Sequence, residues 1–210
     1  VRGIPTGNLR YLDFMAPGIL AQSILFSAIF YGIAIIWERD LGIVHKLLVT
    51  PAHRSALIMG KAFAAGLRGL VQAAVVYLVA IALHVEIRWE LMPMLTVAAG
   101  VFEGSCIFSP FSLVIACIVK TRERFMGIGQ VLTMPLFFAS NAIYPLELMP
   151  DWLKVIAVGN PLTYLVDALR SSMIVGGHSV YALSTSFTVM LSVFAMLLLL
   201  AARLYPGLAR

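Results

Sequence analysis

Apolar positions in this chain gather into five long runs, covering about residues 14–37, 62–85, 94–119, 125–143 and 180–202. Each run is close to or longer than the roughly 20 residues that a helix needs to cross the hydrocarbon of a bilayer. Backbone polar groups in lipid must pair within their own segment, so all five are predicted to be helices. The expected fold class is all-α: a polytopic transmembrane helix bundle forming one domain over 1–210. Pro17, Pro110 and Pro135 punctuate three of the runs and are read as kinks or hinges.

Two connections are too long to be turns. The segment 38–61 opens on Glu38-Arg39-Asp40 and then repeats Leu41, Val44, Leu47 and Leu48 at helical spacing, with Thr50 and Pro51 suited to cap and start a second short helix. The segment 144–177 carries Pro145, Pro150 and Pro161, an amphipathic stretch at 152–156 and an apolar stretch at 162–174 that is too short to cross. It reads as a re-entrant or interfacial helical hairpin, with Trp152, Tyr144 and Tyr164 suited to headgroup depth.

Composition agrees with burial in lipid: 61% of residues are hydrophobic, 12% are charged, and the mean hydropathy is +0.96. Soluble domains are nearer a quarter charged. The formal charge of +5 does not point to nucleic acid, because the basic residues lie between apolar runs and never form a stripe with interleaved aromatics. Their distribution orients the bundle instead. Arg39, Lys46, Arg54, Lys61, Arg68, Lys120, Arg122, Arg124, Arg203 and Arg210 fall on one side, and only Arg2, Arg10, Arg88, Lys154 and Arg170 on the other. The richer side is expected to be cytoplasmic. This places the first residue of the chain outside and the last inside the cell. A sequence that opens on Val1-Arg2-Gly3-Ile4-Pro5, without an initiator Met or a signal peptide, leads to the expectation of one further span upstream, six in all.

The search for reaction chemistry is mostly negative. Gly60-Lys61 is followed by Ala62 and lacks the earlier glycine of a phosphate-binding loop, so no nucleotide site is predicted. His45, His53, His84 and His178 are scattered, and no ligand set has metal spacing. Cys106 and Cys117 lie about 16 Å apart along one helix and cannot bridge. No nucleophile and base are paired as a lipid-processing enzyme would need. No catalytic residue, bound cofactor or metal is therefore expected.

Glu103 lies inside the third run, where a charge is costly. It is a transport-pathway candidate, with Ser109 and Asn141; the competing reading is a protonated or snorkelling carboxyl with a structural role. Gly100 and Gly104 flank it with a spacing that lets two helices approach closely, within one bundle or between two copies. An ion-coupled carrier using Glu103 is the alternative function, although duplicated halves are not visible.

Glu38-Arg39-Asp40-Leu41-Gly42, followed by Lys46-Leu47-Leu48-Val49-Thr50-Pro51, Arg54 and Gly60-Lys61, resembles the cytoplasmic signature of type-2 ABC transporter permeases. The stretch from Asn160-Pro161-Leu162-Thr163-Tyr164 through Asp167 to Arg170 is similar to that family's outer motif. The likeness covers nearly the whole chain and is closest to the drug-resistance and nodulation lipo-oligosaccharide exporters. It implies a prokaryotic inner-membrane permease that works as a dimer, a homodimer being the simplest case, with a separate ATPase subunit holding ATP and Mg. It also implies coupling to that ATPase through Glu38, Arg39, Asp40, Lys46, Leu47, Leu48 and Arg54. The outer hairpin would gate release of a hydrophobic or amphiphilic substrate through Tyr164, Asp167 and Arg170. The last two are spaced to pair on one helical face.

Overall fold

The structure is a computed structural model that describes residues 10–51, 53–119 and 121–209. Arg2, Lys120 and Arg210, which contribute to the loop charges, lie outside the described residues. Eight α-helices follow in order: α1 (Tyr11–Asp40), α2 (Ile43–Val49), α3 (Arg54–Ala82), α4 (Leu91–Ile118), α5 (Arg122–Phe138), α6 (Asp151–Gly159), α7 (Pro161–Met173) and α8 (Leu183–Leu204). Short 3-10 turns lie at Leu146–Leu148 and Tyr205–Ala209. The end of the bundle that carries Asp40 is called the foot here, and the opposite end the crown.

Among the described residues, four helical segments are long and apolar enough to cross a membrane: Tyr11–Asp40, Arg54–Ala82, Leu91–Ile118 and Leu183–Gly207. The run expected at 125–143 is instead a helix of 17 residues followed by a buried turn at 139–142. Its reach is nevertheless that of a long helix. Arg122 binds Asp40 at the foot, whereas Ala142 packs on Gly18 of α1, about 33 Å higher along that helix. Gly18 is obligatory here, because an added Cβ would lie 2.6 Å from the Ala142 carbonyl oxygen.

The interior follows from α4, which packs against α1, α3, α7 and α8 and buries residues on every side. Leu20, Ile24, Val101, Phe108, Leu165 and Leu169 form its central core. A second cluster fills the foot, where Val44 of α2 meets Ile36, Ile58, Phe125 and Tyr205. Outside, Phe63, Leu67, Val71 and Val75 of α3 and Leu191 and Leu199 of α8 are exposed, as suits helices covered by lipid.

The second short helix expected from Thr50 and Pro51 is not formed. Thr50 closes α2, its hydroxyl donating to the Leu47 carbonyl at 2.6 Å, and α3 then runs unbroken from Arg54. No proline interrupts Arg54–Ala82, so nothing forces a break before the apolar run begins. Lys61 and Arg68 are thereby carried inside α3 instead of lying in a connection.

Candidate functional site

At the foot, Gly42 adopts φ 73°, a left-handed conformation that favours glycine, and this lets the chain leave α1 and restart as α2. Val44 is fully buried and Leu48, one turn on, packs on the same cluster. Leu47 and Leu48 are both half-buried, Leu48 against this cluster, and the outward side of α2 carries Ile43, Lys46 and Val49. Arg54 is exposed at the start of α3.

The acidic residues of this segment are engaged within the chain. Asp40 accepts from Arg39 at 2.8 Å and from Arg122 Nη2 at 2.9 Å, which ties the end of α1 to the start of α5. Arg122 also stacks its guanidinium 4.3 Å from the Trp37 ring centroid. Glu38 forms an ion pair with Lys61 of α3. The foot is thus a clamp in which α1 grips both α3 and α5, and α2 hangs below it on Val44.

At the crown, α6 and α7 form a hairpin that descends into the bundle. Its tip is Asn160, whose Oδ1 caps α7 by accepting from the Leu162 N–H at 3.0 Å while its Nδ2 donates to the Leu136 carbonyl of α5 at 2.6 Å. From there α7 climbs along α4. Leu165 fills the notch at Gly104, where a Cβ would lie 2.6 Å away, and Arg88 donates its N–H to the Met173 carbonyl at the top. The Gly100 and Gly104 pair is therefore used inside the bundle, by Leu165 and Leu169.

Asp167 and Arg170 do not pair with each other. The Asp167 carboxylate, completely buried, accepts from the Val180 N–H at 2.9 Å, the Tyr181 N–H at 3.0 Å and the Ser179 hydroxyl at 3.0 Å, so it anchors the strap that leads into α8. Arg170 donates to the Asn141 carbonyl at 2.7 Å and lies 3.8 Å from the Phe14 ring centroid. The backbone fixes each side chain toward a different neighbour, which outcompetes the local pair. Tyr164 is also displaced from the expected aromatic belt: it is buried, stacks 4.9 Å from Tyr181 and donates to the Val158 carbonyl at 2.9 Å. Trp152, by contrast, is exposed on α6 beside Val155 and Ile156.

The three pathway candidates are not brought together. Glu103 is half-buried on α4, and Ser109 is buried about 9 Å further toward the foot on a different face of that helix. Asn141 is buried in the turn after α5, with neither atom of its side-chain amide hydrogen-bonded.

Sequence reasoning missed Asn160 as the link between hairpin and α5, Phe14 as the seat of Arg170, and the groove between α1 and α3. In that groove Arg68 stacks on Tyr31 at 4.9 Å, about 10 Å further from the foot than Lys61. A cation at the centre of a membrane helix costs roughly 2.5–3.5 kcal/mol on insertion scales. The available signal was the heptad spacing of Lys61 and Arg68, which puts both on one face of α3.

Comparison with known proteins assigns this architecture. The chain is 28% identical over 181 residues to a protein of Cyanophora paradoxa designated transport permease ycf38, a match covering 84% of this chain and 60% of that protein. It is 26% identical over 178 residues to the doxorubicin resistance ABC transporter permease DrrC of Mycobacterium tuberculosis, covering 81% and 64% respectively. Nodulation protein J of Rhizobium leguminosarum bv. trifolii is 24% identical over 176 residues, covering 83% and 65%. The chain thus spans less than two thirds of the length of each of these relatives. The profile of the ABC-2 type transporter family matches residues 3–174, which includes both the foot and the hairpin. This multi-pass membrane protein belongs to the ABC-2 type transporter family.

Proposed function

We propose that the chain forms the membrane-spanning permease part of an ATP-driven exporter, with its foot toward the cytoplasm and its crown outside. ATP and Mg are held by a separate ATPase subunit, and two permease copies make the pathway. The observation that carries this reading is the construction of the foot. A short helix hangs below the bundle on buried Val44, with Leu48 beside it, in a cluster shared by α1, α3, α4, α5, α8 and the turn after α8. Lys46 and Arg54 are left exposed around it. Force applied to α2 by a moving ATPase would reach those elements together, because close-packed interiors transmit displacement.

The other parts take roles consistent with that reading. The segment 122–143 acts as the fifth span, since it matches the depth of α1 between Asp40 and Gly18. On α5 only the stripe Phe125, Gly129, Thr133 and Phe137 is buried, leaving Met126, Val131 and Phe138 bare. That face suits a second copy. The hairpin of α6 and α7, hung from Asn160, Asp167 and Arg170, serves as the outer gate. A hydrophobic or amphiphilic cargo is in keeping with the doxorubicin resistance and nodulation names of the relatives.

The test is co-expression with a nucleotide-binding subunit from the same operon and purification through a tag on the permease. A stoichiometric complex whose ATPase activity rises with an amphiphilic compound is expected. Single cysteines at Lys46 and at Lys154 should react only from the cytoplasm and only from outside, respectively. Absence of any ATPase complex, or the reverse labelling pattern, would reject the proposal.

A further inference from the structure

We propose that the groove between α1 and α3 binds one anionic membrane lipid, with its phosphate on Arg68 and an acyl chain along the apolar wall beyond. Three polar contacts cross this groove in register. Glu38 meets Lys61, Tyr31 meets Arg68, and the Ser27 hydroxyl donates to Gln72 Oε1. Each step moves equal distances along the two antiparallel helices, so the contacts share one face of each. Two of them are closed: Glu38 neutralises Lys61, and Ser27 with Gln72 satisfy each other. The middle one is open. Among the described residues Arg68 has an aromatic face but no carboxylate. A ring face attracts a cation without cancelling its charge.

The space beside Arg68 has the shape such a ligand needs. A cavity of about 280 Å³ runs away from the foot between Ile24, Ala28 and Phe30 of α1 and Ala65 and Gly69 of α3, with the paired Ser27 and Gln72 and Ser105 also lining it. A second of about 160 Å³ runs toward the foot and is lined by Glu38, Lys61 and Ser109. Tyr31, Ala34 and Arg68 belong to both, so the two meet at the guanidinium. A headgroup entering from the foot therefore passes Glu38 and Lys61, reaches the guanidinium of Arg68, and leaves its chain along Ile24, Ala28 and Phe30. The mouth is flanked by exposed Phe30, Leu67 and Val71, a surface that lipid covers. Charge selects the class: a phosphodiester without its own cation completes the middle contact, whereas a zwitterionic headgroup brings a second positive charge next to Arg68 and Lys61.

The site is independent of whether the protein exports anything. Purified protein in nanodiscs of phosphatidylcholine with a minor fraction of phosphatidylglycerol is released into native mass spectrometry, and the retained lipids are counted. The wild type is expected to retain phosphatidylglycerol preferentially. Arg68→Gln should weaken that retention about tenfold, the loss expected for one charge-assisted contact. Arg68→Lys and Arg54→Gln should keep most of it. Ala34→Trp supplies a second arm: Ala34 is exposed, so the ring fills the groove with Arg68 intact, and phosphatidylglycerol should again be lost. The proposal is overturned if both Arg68→Gln and Ala34→Trp retain the lipid normally, or if Arg54→Gln loses as much. Equal retention of phosphatidylcholine by the wild type would also overturn it. So would a changed oligomeric state of Arg68→Gln with lipid retention intact, which would assign the groove to another helix.

Discussion

Replacing Asp167 by Asn tests how the crown is held together. The carboxylate receives two backbone N–H groups and one hydroxyl, one backbone donor on each oxygen. Asn keeps the shape but offers one acceptor and one NH₂. Whichever way the amide is turned, its NH₂ faces either the Val180 or the Tyr181 N–H, and neither can rotate away. One charge-assisted bond is lost and one buried donor is left unmatched, together worth about 2–3 kcal/mol. This should raise local opening of the strap by about 30- to 150-fold. Amide hydrogen exchange on peptides covering 178–183 reads that directly, with size-exclusion profile and helicity confirming that the bundle is intact. Asp151→Asn is the control, because Asp151 is fully exposed and pairs only with Lys154 at 3.5 Å. Exchange in the Asp167→Asn protein within twofold of the wild type would refute the view that Asp167 anchors the strap.

Three further outcomes are expected. Gly18→Ala pushes a methyl group against the Ala142 backbone and should cost about 1–3 kcal/mol, seen as an earlier unfolding midpoint in denaturing detergent, whereas Gly127→Ala, with open space around it, should not. Asn160→Ala removes both the cap of α7 and the tie to Leu136, a loss of about 1–2 kcal/mol that exchange at the hairpin tip would register. Val44→Ala hollows the foot cluster and should cost about 2 kcal/mol while speeding proteolysis between α1 and α3.

What the sequence disclosed is what lipid imposes locally. Long apolar runs had to be helices, and three of them lie within a few residues of α1, α4 and α8, while α3 begins eight residues before its run. The run at 125–143 was harder to read, because its last third is buried against Gly18 as a turn, and a buried turn and a buried helix look alike in hydropathy. Side-chain roles were less legible still. Asp167 and Arg170 have ideal helical spacing, yet backbone groups brought from residues 180, 181 and 141 bind them more strongly, and sequence spacing carries no information about such distant donors and acceptors. Arg68 was counted among the charges of the first connection, although it falls inside the run 62–85. The unbroken Arg54–Ala82 helix removes that inference and turns a topological marker into a residue that needs an explanation.

The central claim, that this foot receives force from an ATPase, is tested most directly by coupled assays in proteoliposomes. The protein is reconstituted with the proposed ATPase subunit, and amphiphile-stimulated ATP hydrolysis is measured for Lys46→Glu/Arg54→Glu at the foot and for Lys154→Glu at the crown. Lys46 and Arg54 are exposed, and Lys154 is half-buried and pairs only loosely with Asp151 at 3.5 Å. The account predicts that the foot variant inserts and folds normally but loses stimulation, while the crown variant keeps it. Full stimulation in the foot variant would contradict it.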